Sequence, residues 1–328
     1  MKKVKIAILG TGQIANKLAK ALQKTANAKL YAVASRSIEK AQDFAQKYQI
    51  AKAYGSYECV LEDEEVSLVY IAVPHAFHYE LSKKCLLAGK HVLCEKPITV
   101  NAKEADELFS LAADKKLFYS EAMWTRFLPA VQKVRDLLDK GCIGELKFLS
   151  ATTGFNCMNI PRMIEPSLAG GILLDCGIYL IVSTALLFGE DISDISTNAI
   201  LSDKGVDLRS ITTLSYKDGK TATLIMAMDG EFENKITISG DKGYMDIQVP
   251  FNWQNIKIYS ASGESTKTVD LPPQNAGGYE YMTEAVCNAI LNGKTHCEET
   301  SYEKTMFVMK LMDILRKKWN LKYSFEQT

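Results

Sequence analysis

Val4-Lys5-Ile6-Ala7-Ile8-Leu9-Gly10-Thr11-Gly12-Gln13-Ile14-Ala15 is the stretch whose reading decides the fold. A short apolar, β-branched run meets a Gly-x-Gly-x-x-Ala turn, and helical periodicity then runs from Ile14 to Leu22. Gly10 permits a tight turn, Gly12 lets backbone approach a pyrophosphate, and Ala15 is small enough for helix and strand to pack closely. Thr11, Gln13 and Ile14 sit at the helix N-terminus, where free N–H groups and the helix dipole favour phosphate. Small residues also serve ordinary turns, so the strand and helix on either side carry the weight.

Working outward, strand-like Leu30–Ala34, Leu68–Val73, His91–Cys94 and Phe118–Ser120 alternate with helical Ile38–Tyr48, Tyr79–Leu87 and Ala102–Lys115. Alternating βα units predict a doubly wound parallel sheet with helices on both faces. Residues 1–121 are read as this dinucleotide-binding domain. From residue 122 the pattern changes. A helix over Ala130–Lys140, a strand over Glu145–Phe155 and a helix over about Leu174–Phe188 precede period-two segments such as Ser210–Tyr216, Thr221–Met228 and Lys235–Ser239. Turn residues separate those segments, which predicts hairpins of an antiparallel sheet. Two helices, about Tyr279–Asn292 and Tyr302–Trp319, close the chain. Residues 122–328 are therefore read as a second, α+β domain for substrate and oligomerisation, its last helices able to pack back on the first. One face of its sheet is left uncovered, and a homodimer or higher homo-oligomer built sheet to sheet is the expectation.

An Asp or Glu roughly 20 residues beyond the turn usually marks NAD. Here the second strand ends in Ser35-Arg36-Ser37. A guanidinium and hydroxyls suit the 2′-phosphate of NADP, and NADP is preferred with NAD as the alternative. On the residues alone, Arg36 as a solvated loop residue and Ser37 as a helix cap is the competing account. Further along, Ala72 near the end of the third strand, Pro74, His75 and His78 just beyond it, and Glu95 and Lys96 of Glu95-Lys96-Pro97, which ends the fourth, are read as cofactor contacts. Ligands of open α/β sheets bind beyond the carboxyl ends of strands, so Lys96 is expected to face the cofactor crevice. A strand-capping ion pair reads equally well. Asp175 and Tyr179 lie four apart on a predicted helix and share a face. A Tyr near a Lys is a candidate acid and base for interconverting alcohol and carbonyl, because an ammonium favours the phenolate.

The chain has 328 residues, 47% hydrophobic and 24% charged, with 39 basic and 39 acidic residues. That length suits two domains, and the neutral balance gives no basic footprint for nucleic acid or a membrane surface. The N-terminal apolar run is too short for a membrane span or a secretory leader, which predicts a cytoplasmic protein. Eight cysteines without a Cys-x-x-Cys pair read as reduced thiols, and four histidines without matching ligands give no metal site.

Together Gly10-x-Gly12-x-x-Ala15, Val73-Pro74-His75-Ala76-Phe77-His78, Ala88–Pro97 and Gly170–Tyr179 resemble the glucose–fructose oxidoreductase, inositol dehydrogenase and rhizopine-catabolism family over most of the chain. Glu121-Ala122-Met123-Trp124-Thr125-Arg126-Phe127 is similar to the branch of dimeric dihydrodiol dehydrogenases and NADP-dependent xylose dehydrogenases. The resemblance implies a Rossmann domain and a C-terminal domain with an open, mainly antiparallel sheet. It implies Lys96 and Tyr179 as the catalytic pair, supported by Asp175. It implies Trp124, Arg126 and Phe127 near nicotinamide and substrate, although packing at a domain junction also accounts for Trp124 and Phe127. Many members carry His in place of Tyr179, and many carry Asn in place of His75. The expected function is a dehydrogenase or reductase acting on CH–OH groups of a sugar, polyol or cyclic diol. A non-catalytic NADP-binding regulator and an NAD-dependent glycosidase are the alternatives. Retention of both Lys96 and Tyr179 argues against the regulator.

Overall fold

A computed structural model describes residues 2–326. The chain divides into two compact units: residues up to Phe127 with Gln274–Met309, and Leu128–Pro273 with the residues from Lys310 on.

The first unit is built on a six-stranded parallel sheet. Its strands are β1 (Val4–Leu9), β2 (Ala28–Ala34), β3 (Lys52–Tyr54), β4 (Leu68–Ile71), β5 (His91–Cys94) and β6 (Tyr119–Glu121). Their spatial order is β3-β2-β1-β4-β5-β6, the doubly wound arrangement expected from the sequence. The crossovers are α1 (Gln13–Leu22), α2 (Ile38–Tyr48), the short α3 (Glu58–Glu62), α4 (His78–Leu87) and α5 (Ala102–Asp114). Ile6, Ile8, Leu68, Tyr70, Val92 and Leu93 are all buried, because a parallel sheet is covered on both faces. The two short elements at 52–54 and 58–62 lacked an apolar run long enough to be read from sequence.

Strand register aligns the carboxyl ends. Leu9 pairs with both Ala34 and Ile71, Ile71 with Cys94, and Cys94 with Glu121. The residues that follow, Gly10, Ser35, Ala72 and Glu95, thus emerge along one edge.

The second unit opens with α6 (Pro129–Asp139) and also holds α7 (Pro161–Ile164) and α8 (Ile178–Phe188). Its sheet comprises β7 (Leu146–Gly154), β8 (Ile192–Leu201), β9 (Asp207–Tyr216), β10 (Thr221–Ala227), β11 (Lys235–Gly240), β12 (Gly243–Gln248), β13 (Gln254–Ser260) and β14 (Ser265–Thr268). The order is β14-β13-β12-β11-β7-β10-β9-β8, antiparallel except for β7 against β10. Leu149, Ala151, Leu224, Ile236, Ile238 and Leu214 are buried on one face, with α8 packed against β7 and β10. On the other face Phe148 and Ile211 stay exposed among half-buried threonines. The run Pro166–Phe188 has the length and apolarity of a membrane span, yet 83% of its apolar window is buried inside the protein, as in a core helix.

The last two helices are α9 (Tyr279–Leu291) and α10 (Tyr302–Lys318). Helix α9 packs on α1 in the first unit, where Thr25 and Thr283 share a buried 2.8 Å hydrogen bond. Helix α10 begins in the first unit and ends in the second.

Candidate active site

The Gly-rich turn is fixed by contacts that tolerate no substitution at Gly10. Its φ is +102°, and a Cβ there would lie 2.4 Å from the Ala72 carbonyl oxygen. Gly12 differs. Its φ of −73° suits any residue, and a Cβ would meet nothing within 4 Å. The fold itself does not demand a glycine at position 12, so the missing side chain keeps an approach to the backbone open. Helix α1 starts here with no side-chain cap and no acidic residue in its first turn. Its orphan N–H groups and positive dipole end are left for an anion. Thr11 is half-buried, Gln13 exposed and Ile14 half-buried. Asn16, which sequence reasoning passed over, braces the turn: its Nδ2 donates to the Gly12 carbonyl at 2.8 Å, and Lys47 Nζ and Tyr48 OH donate to its Oδ1. Nothing in the sequence set it apart from Gln13, Lys17 and Lys20, the other polar residues of the helix.

Ser35 is buried at the end of β2. Ser37 caps α2, accepting from Lys40 N at 3.3 Å, and its hydroxyl donates to Glu39 at 2.6 Å. Both the cap account of Ser37 and the phosphate account of Arg36 are thus accommodated, because Arg36 is exposed and joins no ion pair among the described residues. The turn, the uncapped helix and this guanidinium fit a dinucleotide with a 2′-phosphate.

Beyond β4, Ala72, Pro74 and His75 are half-buried. His78 is fully buried: Nδ1 lies 2.7 Å from the Pro97 carbonyl and Nε2 2.9 Å from the Val73 carbonyl. Desolvation pushes its pKa down. With both ring nitrogens beside backbone carbonyls, His78 ties the loop after β4 to the loop after β5. Glu95 and Lys96 are buried after β5, ahead of a cis Lys96–Pro97 bond. The Tyr70 hydroxyl donates to Glu95 Oε1, and Glu95 Oε2 accepts from Lys96 N at 3.2 Å. Burial raises the Glu95 pKa, opposed by Tyr70 and Lys96. Trp124 stacks on Tyr279 of α9 with ring centroids 4.8 Å apart, and buried Arg126 reaches the Lys304 carbonyl at 3.4 Å.

In the second unit, Asp175 sits in a π turn, Leu173–Gly177, that leads straight into α8 and Tyr179. Such turns recur at functional sites. Gly171 makes it feasible, with φ +118° and a Cβ position 2.0 Å from Asp207 Oδ1. Asp207 Oδ2 accepts from Leu173 N at 2.7 Å, and burial pushes this carboxyl up to about 7. Asp175 pairs with Arg162 Nη1 at 3.0 Å. Arg162 lies on the short α7 and carried no local sequence signal, because its partner is brought near by the fold. Tyr179 is buried and its ring lies 5.9 Å from that of Phe251. Lys96 belongs to the first unit, Asp175 and Tyr179 to the second.

A parallel sheet whose aligned carboxyl edge carries an open Gly turn, an exposed Arg and a buried Lys defines a dinucleotide-dependent enzyme class. Residues 4–123 match the oxidoreductase family with an NAD-binding Rossmann fold, and residues 131–246 match the GFO/IDH/MocA C-terminal domain. Curated relatives include the trans-1,2-dihydrobenzene-1,2-diol dehydrogenase of Xenopus laevis, 33% identical over 320 residues, spanning 94% of this chain and 96% of that one. The enzyme of that name from Homo sapiens is 34% identical over 294 residues, 87% of each chain. Among solved structures, a 3-ketoreductase from Actinomadura kijaniata in complex with NADP and TDP-benzene superposes with a TM-score of 0.87 at 27% identity, covering 96% of this chain and 98% of that one. The chain belongs to the GFO/IDH/MocA family of oxidoreductases.

Proposed function

We propose that this protein is an NADP(H)-dependent oxidoreductase that interconverts a hydroxyl and a carbonyl on a sugar, polyol or cyclic diol. The observation that carries this reading is the aligned carboxyl edge of the parallel sheet, which gathers Gly10, Gly12, Arg36, Glu95 and Lys96. Relatives named for a dihydrodiol, and a 27% identical ketoreductase solved with NADP, support the substrate class and the cofactor. The same ketoreductase has been solved with a lysine replaced by alanine or glutamate, and with a tyrosine replaced by phenylalanine, which draws attention to the same residue types here.

Hydride chemistry is what a nicotinamide supplies when bound. This chain's residues hold and prepare the reactants. Gly12 and the N–H groups opening α1 take the pyrophosphate, and Arg36 takes the 2′-phosphate. Tyr179 passes the proton to or from the reacting oxygen. An ammonium beside a phenol favours the phenolate, and this is the role proposed for Lys96. Asp175, held by Arg162, orients the substrate or the surroundings of Tyr179. The domains used are the Rossmann domain and the substrate domain proposed from the sequence. Eight cysteines with no disulfide among the described residues suit a cytoplasmic enzyme, and the open sheet face with Phe148 and Ile211 suits a homo-oligomer.

The test is a panel of trans-dihydrodiols, aldoses and polyols with NADP⁺, and of the matching carbonyls with NADPH, followed by nicotinamide absorbance. Turnover of one class by the purified chain is expected. Absence of turnover across the panel, with NADPH still bound, favours the regulator. Light scattering at micromolar concentration is expected to give a dimer or larger, and a clean monomer refutes the sheet-to-sheet contact.

A further inference from the structure

Buried side chains hold four of the backbone groups around Lys96. Glu95 Oε2 accepts from Lys96 N at 3.2 Å, His78 Nδ1 meets the Pro97 carbonyl at 2.7 Å, and Cys94 Sγ donates to the Ile98 carbonyl at 3.5 Å. The fourth, Ile98 N, donates to Glu121 Oε1 at 3.1 Å. Glu121 is 1% exposed at the end of β6, where its backbone pairs with Cys94. Nothing in the proton path above uses it.

Other acceptors would serve Ile98 N at lower cost. A single N–H is satisfied by a neutral amide, whereas a buried carboxylate must be desolvated. Desolvation pushes the Glu121 carboxyl up to about 7, while Arg126, Ile98 N and Lys96 act in the opposite direction and Glu95 adds to the rise. The groups facing it are Arg126 from the turn Trp124–Phe127, Glu95 and Lys96 from the end of β5, and the Cys94 thiol and Tyr119 phenol, both held neutral by burial. Two acidic and two basic side chains are thus enclosed together, and the Glu121 proton changes the charge beside Lys96.

We propose that Glu121 is a positioning residue for the reaction: its carboxylate fixes the Lys96-Pro97-Ile98 segment and sets the field in which the Lys96 ammonium acts. The proposal rests on the role given to Lys96 above. Ionised Glu121 balances the cations and holds Ile98 N with a charged acceptor. Protonated Glu121 leaves the cluster more positive and that hydrogen bond weaker, so the Lys96-Pro97-Ile98 segment is held less firmly. Activity is then highest with Glu121 ionised.

The experiment compares kcat–pH profiles of wild type, Glu121→Gln, Glu121→Asp and Lys96→Ala in the full chain, with NADPH titrated into each. Wild type is expected to lose activity as pH falls through about 7. Glu121→Gln keeps an acceptor for Ile98 N, and it is expected to bind NADPH within about twofold of wild type. It should lose the acidic limb and run about tenfold slower above neutrality, the cost of exchanging a charged acceptor of Ile98 N for a neutral one. Glu121→Asp keeps the charge and should keep the limb on a lowered plateau, so a poorly folding Gln variant still leaves a reading. A Glu121→Gln profile that superimposes on wild type, or a Glu121→Asp profile without the limb, overturns the proposal. Normal turnover by Lys96→Ala overturns the reading of Lys96 itself. Inactive Lys96→Ala beside an unaltered Glu121→Gln removes only the role of Glu121.

Discussion

Replacing Gly10 and Gly12 separately by alanine should divide stability from binding. At Gly10 the new Cβ falls 2.4 Å from the Ala72 carbonyl oxygen, and alanine must adopt a φ of +102°. The strained backbone costs about 1–3 kcal/mol and the forced displacement of the Ala72 backbone about 1–3 kcal/mol more. The sum, roughly 2–6 kcal/mol, lowers the melting midpoint by at least about 4 °C for a domain of this size. At Gly12 the Cβ meets nothing within 4 Å, and φ is already −73°. Stability of the unliganded protein should then stay within about 0.5 kcal/mol of wild type. The added methyl instead stands where a pyrophosphate must approach. A penalty of about 1–3 kcal/mol there weakens NADPH roughly 5- to 150-fold. Thermal melts without cofactor and NADPH fluorescence titrations of both variants make the comparison. Wild-type affinity in Gly12→Ala, or a melting shift as large as that of Gly10→Ala, refutes the reasoning.

Arg36→Ala should weaken NADPH by roughly 10- to 150-fold, the loss of a charge-assisted contact of about 1.5–3 kcal/mol, and leave NADH within about twofold; equal losses for the two would remove Arg36 from the 2′-phosphate site. Asp207→Asn tests a buried acid. The folded chain keeps a proton on Asp207 up to about 7, whereas the unfolded chain releases it near ~4. Between those values the folded state binds more protons, so this group's contribution to stability is present at low pH and lost as pH rises through the window, by an amount of order 4 kcal/mol. The melting difference between Asp207→Asn and wild type should therefore grow in favour of the variant from pH ~5 to ~8, and a constant difference contradicts the burial argument.

How much of this was legible in the sequence depended on whether a residue acts through its neighbours in the chain or across space. The edges of β1, α2 and β5 were read to the residue, because each is a short run of one period bounded by Gly, Ser or a charged pair. Helix α8 was read as beginning near Leu174, yet a π turn occupies 173–177, and a change of helical pitch leaves no mark in apolar spacing. The parallel pairing of β7 with β10 was likewise hidden, since period-two alternation is the same for either direction. Gly10 and Gly12 were given different roles from the sequence, the turn and the open approach, but only the packing of Ala72 shows how strictly the fold requires the first. His78 was read as a residue for the cofactor; its two backbone carbonyl contacts come from loops that meet only once β4 and β5 pair. Arg162 and Glu121 were passed over for the same reason, each deriving its interest from a partner distant in the chain.

The central claim is that Lys96 and Tyr179 carry the proton chemistry of a nicotinamide-dependent hydride transfer. Its most direct measurement is single-turnover reduction or oxidation of the panel's best substrate by Lys96→Ala and Tyr179→Phe, with NADPH affinity measured on the same samples. Both variants are expected to lose about 100-fold or more in rate, the usual worth of a positioned proton donor, while binding NADPH within a few-fold of wild type. Two variants that turn over at the wild-type rate would contradict the account, whatever their affinity for the cofactor.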